Sequence, residues 1–168
     1  PLIISDFRPT ELVLRHFQSA GESGRVVAET TIQNAAHAAG HAVPFVPIDS
    51  TGELIDNRCF LLMERLPGSA LLPQLEDPAL MQQFPVLMAR TQAGLHKIDS
   101  GELYKQLSDS GVDVVRMAPS AMLFRITAIA DAAKHDKLSA INEWLVKNMP
   151  DQPADPVVCH GDFHPNNI

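Results

Sequence analysis

Residues 157–168 read Val-Val-Cys-His-Gly-Asp-Phe-His-Pro-Asn-Asn-Ile. A short apolar run leads into a polar loop, in which Asp162 and Asn167 are separated by four residues. Phosphoryl transfer from ATP uses such a pair, because a carboxylate takes the proton of the acceptor hydroxyl and an amide oxygen holds a magnesium ion against the phosphates. The spacing therefore makes Asp162 a candidate base and Asn167 a candidate magnesium ligand.

The same loop has two other interpretations. Gly, Asp, Pro and Asn all favour turns, so the stretch can be a turn without chemistry. His160, Asp162 and His164 alternate along the chain, and on an extended segment their side chains would share one face. Such a cluster could bind a transition metal and support hydrolysis. The rest of the chain has to distinguish between these interpretations.

Composition narrows the class of protein. The chain has 168 residues, 45% of them hydrophobic, which suits one domain or two small lobes. Its net charge is −7 and it has no run of Lys or Arg, so we expect no nucleic-acid partner, since phosphate backbones bind basic surfaces. No apolar run reaches transmembrane length and the first residues show no signal-peptide pattern. We therefore expect a cytoplasmic protein without membrane association.

The two cysteines support the same compartment. Cys59 and Cys159 each lie within an apolar run, which predicts buried thiols in a reducing environment. The sequence alone leaves a disulfide between them open.

Residues 1–66 have the pattern of a small antiparallel sheet with one helix. Four strands are predicted, at residues 1–7, 12–17, 43–48 and 58–66. The first two form a hairpin, the third contains two prolines and is therefore an edge strand, and the fourth is apolar on both faces and therefore buried. The helix spans residues 25–39 and ends at Gly40.

From residue 67 onward the pattern is helical. Apolar residues recur at helical spacing in several segments, with Pro85 in the first turn of the longest. The predicted helices lie at residues 70–75, 84–98, 122–133 and 138–149. Residues 100–118 are polar and weakly patterned, which predicts a loop or a short helix. A connector rich in Pro and Asp then leads into the stretch quoted first.

This order of elements, followed by a His-Gly-Asp-x-x-x-x-Asn loop, resembles the aminoglycoside phosphotransferase family and its choline-kinase-like relatives. The resemblance implies a protein-kinase-like bilobal fold of the α+β class. Residues 1–66 would form a β-rich N-terminal lobe and residues 67–168 a mainly helical C-terminal lobe. The family's glycine-rich loop would precede Pro1 and its second magnesium Asp would follow Ile168. We therefore expect both lobes to be incomplete, and the chain by itself to be inactive.

The resemblance also implies roles for residues outside the loop. Arg15 takes the place of the basic residue that holds the nucleotide phosphates, where the family more usually has Lys, and Glu29 takes the place of the helix Glu that holds this residue. Met63 would lie at the back of the adenine pocket. Glu64 and Leu66 would offer backbone groups to the adenine edge.

Together these observations predict a phosphotransferase that uses ATP and Mg²⁺ and acts on the hydroxyl group of a small molecule. Asp162 would be its base and Asn167 a magnesium ligand. An alternative of another class is a kinase-fold module that binds a nucleotide or a partner without catalysis. A metallohydrolase built on His160, Asp162 and His164 is the third interpretation.

Overall fold

The computed structural model describes residues 11–151 and 155–167. Within these ranges the chain forms an α+β arrangement in which a small sheet is followed by helices. The strands are β1 (Leu12–His16), β2 (Ile48–Asp49) and β3 (Phe60–Glu64). The α-helices are α1 (Ser23–Ala38), α2 (Pro78–Leu95), α3 (Ser100–Asp109), α4 (Pro119–Ala133) and α5 (Asp136–Lys147).

The sheet has the order β1-β3-β2, and both pairings are antiparallel. The buried strand predicted at residues 58–66 is confirmed, because β3 lies in the centre and Leu61 is fully buried. The edge strand predicted at residues 43–48 is mostly wrong: β2 consists of Ile48 and Asp49, which pair with β3, and residues 43–47 are not in a strand. The predicted hairpin partner of β1, residues 1–7, lies outside the described residues.

Two hydrophobic clusters hold α1 in place, since burial of apolar side chains is the main favourable term in folding. The first lies between α1 and the sheet and contains Phe17, Val26, Val46, Cys59 and Leu61, with Met63 packed against it. The second lies between α1 and α3 and contains Ala28, Leu103 and Leu107, with Val158 among the residues packed against it. Helix α1 is therefore packed against both the sheet and the helical part of the chain.

Helix α1 matches its prediction, whereas α2 begins earlier than the predicted residue 84. The carboxylate of Asp77 accepts a hydrogen bond from the Ala79 N–H at 2.8 Å, and Pro78 occupies the first helical position. Both features favour a helix start at that point. The sequence pattern predicted Pro85 in the first turn of this helix. Because α2 begins earlier, Pro85 lies inside it.

The loop or short helix predicted at residues 100–118 is largely the ten-residue helix α3. Asp99 caps it by accepting hydrogen bonds from two backbone N–H groups at 3.0 and 3.1 Å. Leu103 and Leu107, one turn apart, are both buried. Only two of its ten residues are buried, so the cap and the tertiary packing decide this helix.

The short helix predicted at residues 70–75 is a 3-10 helix, Leu72–Glu76. Helices α4 and α5 match their predictions and pack against each other. No helix in the described part of the chain has both the length and the apolar character needed to cross a bilayer.

The two cysteines have different environments. Cys59 is fully buried, as predicted, but Cys159 is exposed. The prediction for Cys159 is wrong because its neighbour Val158 is the residue that packs against the second cluster. Both thiols are free, so no disulfide joins them.

Replacing Asn34 with Ala should destabilise the protein. The side chain of Asn34 accepts a hydrogen bond from the Val46 N–H at 2.8 Å and donates to the Val46 carbonyl at 3.0 Å, and Val46 is buried. The variant leaves two buried backbone groups without partners, so urea denaturation should show a loss of about 1–3 kcal/mol. Gln82→Ala, at an exposed position of α2, is the control and should change the unfolding free energy by less than about 0.5 kcal/mol. An equally small change for Asn34→Ala would contradict this account.

Candidate functional site

Arg15 and Glu29 form the pair that the sequence predicted. Arg15 and Phe17 lie two residues apart, so their side chains share the sheet face that α1 covers. Glu29 follows the fully buried Val26 by three residues on α1. The Arg15 guanidinium contacts both carboxylate oxygens of Glu29, at 2.6 Å (Nη1–Oε2) and 3.4 Å (Nη2–Oε1). The Arg15 side chain is 43% exposed, which leaves it accessible to a ligand.

A second arginine binds the same carboxylate. Arg25 Nε lies 2.8 Å from Glu29 Oε1, and Arg25 Nη1 lies 3.1 Å from Glu22 Oε2. The other oxygen of Glu22 accepts hydrogen bonds from the backbone N–H groups of Gln18, at 2.7 Å, and Ser19, at 3.2 Å. The hydrogen bond to Glu29 raises the pKa of Arg25 above its ordinary value, so this guanidinium stays charged. We refer to Arg15, Glu22, Arg25 and Glu29 as the arginine network.

Sequence reasoning missed Glu22 and Arg25. Their spacing was a usable signal, because residues three and four apart on a helix are neighbours, and Arg25 is three residues after Glu22 and four before Glu29. Phe17 also belongs to this site. Its ring centroid lies 5.0 Å from the Arg15 guanidinium and 5.3 Å from that of Arg25, within cation–π range.

The terminal loop brings Asp162 and Asn167 into direct contact. The Asn167 side-chain amide donates to Asp162 Oδ2 at 2.8 Å and to the Asp162 carbonyl at 3.1 Å. Gly161 has a φ of +83°, a conformation that glycine adopts without strain. The Asn167 N–H donates to the His164 carbonyl at 2.9 Å, which closes the turn.

The two histidines of this loop contact its own polar groups. His160 Nδ1 accepts from the Asp162 N–H at 3.4 Å, and His164 Nε2 lies 3.4 Å from Asp162 Oδ1. Within residues 11–151 and 155–167, no group of three His, Cys, Asp or Glu side chains is arranged to hold a metal ion. The geometry therefore does not favour the metallohydrolase interpretation.

Packing connects the loop to the helix that carries Glu29. Val158, four residues before Asp162, packs against the same cluster as Ala28, the neighbour of Glu29. The Pro165 carbonyl also accepts a hydrogen bond from the Leu72 N–H at 3.1 Å. Among the described residues, no hydrogen bond or ion pair joins the Asp162–Asn167 pair directly to the arginine network. The shared cluster is therefore the physical link between the two.

The predicted adenine-contacting residues lie in and after β3. Met63 packs against the first cluster, and its sulfur accepts from the Gln33 side chain at 3.8 Å. The Glu64 N–H donates to the Phe45 carbonyl at 2.9 Å, so this donor is already used within the protein. Of the two backbone groups of Glu64 that were predicted to contact the adenine edge, only the carbonyl therefore remains a candidate. Leu66 lies two residues beyond the strand and is exposed.

Residues 3–168 match the model of the phosphotransferase enzyme family, APH. The curated relatives include acyl-CoA dehydrogenase family member 11 of Rattus norvegicus, which is 26% identical over 151 residues, or 86% of this chain and 19% of that protein. The Gallus gallus protein of the same name is 29% identical over 151 residues, again 86% and 19% of the two chains. The Mus musculus protein is 31% identical over 86 residues, or 49% of this chain and 10% of that protein.

The chain thus spans about a fifth of the length of the first of these relatives. No solved structure matches the chain. The family model, in contrast, covers nearly all of it, and the three-stranded antiparallel sheet with its helices is consistent with a kinase-like fold. The chain therefore belongs to the phosphotransferase enzyme family.

Proposed function

We propose that this protein transfers the γ-phosphoryl group of ATP to a hydroxyl group of a small molecule, with Mg²⁺ as the metal. The observation that carries the proposal is the 2.8 Å contact between Asp162 and Asn167 in an exposed loop. Kinase-type phosphoryl transfer uses a carboxylate base together with a nearby Asn side chain that binds magnesium. Family membership supports the reaction class, and the cofactors and the acceptor type are the additional content of the proposal.

The chemistry of the donor set fits magnesium. Asn167 uses its amide nitrogen to hold Asp162, and its side-chain oxygen accepts no hydrogen bond from any described residue. Mg²⁺ prefers oxygen ligands and binds through few protein groups together with substrate phosphates. Asn167 would therefore supply the protein ligand through this oxygen. When bound, the metal would offset the charge of the phosphates, and ATP would supply the phosphoryl group.

Asp162 is suited to act as the general base. Asn167 fixes one carboxylate oxygen, and the other lies 3.4 Å from His164 Nε2. The side chain is 75% exposed, so an acceptor hydroxyl can reach it. The carboxylate would orient that hydroxyl and take its proton as the hydroxyl oxygen attacks the γ-phosphorus and ADP departs.

The remaining site residues would bind the nucleotide. The planar guanidinium fork of Arg15 suits phosphate oxygens, while Glu29 holds it from the side of α1. Met63 would contact the adenine ring. The Glu64 carbonyl and the Leu66 backbone would take up the hydrogen-bonding edge of the ring.

The function is tested with the full-length protein and ATP labelled on its γ-phosphate. We expect Mg²⁺-dependent transfer of the label to an alcohol from a panel of aminoglycosides, sugars and choline-like alcohols. Chelation with EDTA should abolish transfer, because the metal is required at the phosphates. Label that passes only to water, whatever the alcohol supplied, would contradict a hydroxyl acceptor.

Binding without transfer would favour the alternative, a kinase-fold module without catalysis. Calorimetry and the transfer assay on the same protein together separate the two functions, because a catalyst and a nucleotide-binding module both bind Mg-ATP but only the catalyst labels an acceptor.

A further inference from the structure

We propose that Arg25 is a positioning residue, which holds Glu29 in the orientation that aligns Arg15 with the nucleotide phosphates. The inference rests on the proposed function, because it assumes that Arg15 binds those phosphates. It assigns a role to a residue that the reaction chemistry by itself does not require.

The use of donors distinguishes Arg25 from Arg15. Arg25 directs Nε to Glu29 at 2.8 Å and Nη1 to Glu22 at 3.1 Å, so two sides of its guanidinium lie against carboxylates of the protein. Arg15 contacts only one carboxylate, that of Glu29, among the described residues. Arg25 is therefore placed between two acidic groups as a bridge, whereas Arg15 is placed to bind a further anion.

Glu29 needs such support because its pair with Arg15 is accessible to solvent. The side chain of Glu29 is 27% exposed, and an isolated pair of this kind restricts a flexible carboxylate weakly. Arg25 occupies Oε1 at 2.8 Å, while Arg15 approaches Oε2 at 2.6 Å. Because a different arginine makes the short contact to each oxygen, rotation of the carboxylate would break at least one of these contacts.

The arginine network is also anchored at its other end. Glu22 accepts hydrogen bonds from the backbone of Gln18 and Ser19, in the segment that directly follows β1. The contacts therefore run from this segment through Glu22, Arg25 and Glu29 to Arg15, which lies on β1 itself. The path begins at the backbone of Gln18 and Ser19 and ends at Arg15, only a few residues earlier in the chain. The contacts therefore form a closed circuit.

Phe17 closes the network from the side of the core. This ring is buried, and it lies within 5.3 Å of both guanidinium groups. An arginine that stacks on a buried ring keeps its plane while its edge binds a carboxylate. The ring thus gives Arg15 and Arg25 a common support.

The test compares Arg25→Met with the wild type in the full-length protein. We expect the KM for Mg-ATP to rise by about 3- to 10-fold, in the range of energetic coupling between neighbouring residues. The KM of the acceptor should stay unchanged and the thermal unfolding midpoint should change little, because the Arg25 side chain is 57% exposed and ion pairs at the surface contribute little to stability. Arg116→Met is the control, since Arg116 also pairs with a carboxylate, that of Asp113 at 3.0 Å, but lies outside the arginine network.

A double-mutant cycle gives the decisive readout. If Arg25 acts through Glu29, Arg25→Met should have almost no further effect on the KM for Mg-ATP in a Glu29→Gln background. A full effect in that background would show that Arg25 contacts the nucleotide directly and would overturn the inference. The inference would also be overturned if Arg25→Met left the KM for Mg-ATP unchanged while Arg15→Ala raised it. A wild-type protein that binds no Mg-ATP would overturn the proposed function, and this inference with it.

Discussion

Asp162→Asn in the full-length protein should lower kcat by at least about 100-fold, the low end of general-base contributions. Asn keeps the shape of the side chain but cannot accept the hydroxyl proton. The side chain is exposed and contacts only its own loop among the described residues, so the folded state should be little affected. Steady-state phosphoryl transfer and thermal unfolding of the same preparation measure both quantities.

Asp155→Asn is the matched control for this variant. Asp155 is an exposed aspartate seven residues before Asp162, and neutralising it should leave kcat unchanged. If Asp162→Asn turned over as fast as the control, the loop could not be the catalytic loop of a kinase-type enzyme.

Arg15→Ala is expected to have the second largest effect, a decrease of about 10- to 100-fold in kcat/KM for Mg-ATP. The variant removes the side chain that would bind the phosphates, and the arginine network changes from neutral to a net charge of −1, which disfavours a bound anion. The unfolding free energy should change by less than about 1 kcal/mol, because the ion pair is exposed. Titration with Mg-ATP at saturating acceptor measures the effect on the nucleotide.

Two further substitutions show whether the effect of Arg15→Ala comes from the loss of the positive charge at this position. Arg15→Lys keeps the cation and should restore most of the activity, since Lys also binds phosphate as a point charge. Arg90→Ala, at an exposed position of α2, removes one positive charge elsewhere and should have no effect. A loss of equal size for Arg15→Lys and Arg15→Ala would show that the fork geometry matters more than the charge.

Much of the candidate site could be predicted because its parts are local. Asp162 and Asn167 lie in one loop, so their spacing was enough to select both as candidates, and the structure adds that they are in contact. Met63 lies in β3. The apolar character of this strand predicted that it is buried, and it lies in the centre of the sheet. The Arg15–Glu29 pair spans 14 residues and was inferred through the family resemblance, since no local pattern joins a strand residue to a helix residue.

Other features depended on contacts between distant segments. Helix α3 was expected to be a loop or short helix, because only Leu103 and Leu107 mark its buried face and the partner surface is supplied largely by α1. Cys159 is exposed because its neighbour Val158 is the residue that packs against the second cluster. The hydrogen bond from the Glu64 N–H to the Phe45 carbonyl joins segments 19 residues apart, and no local pattern predicts it.

By itself the sequence determined the class of fold, the order of strands and helices, and the loop that carries Asp162 and Asn167. The order of the elements and the loop follow from periodicity, from glycine and proline, and from spacing within single segments, and the class of fold follows from the family resemblance that they carry. Only the tertiary structure showed that Arg25 and Glu22 join Glu29 and Arg15, and that one cluster packs beneath both this network and the loop. The physical reason is that shared carboxylates and shared clusters depend on how α1 lies between the sheet and α3, and this position results from the burial of side chains from many separate segments.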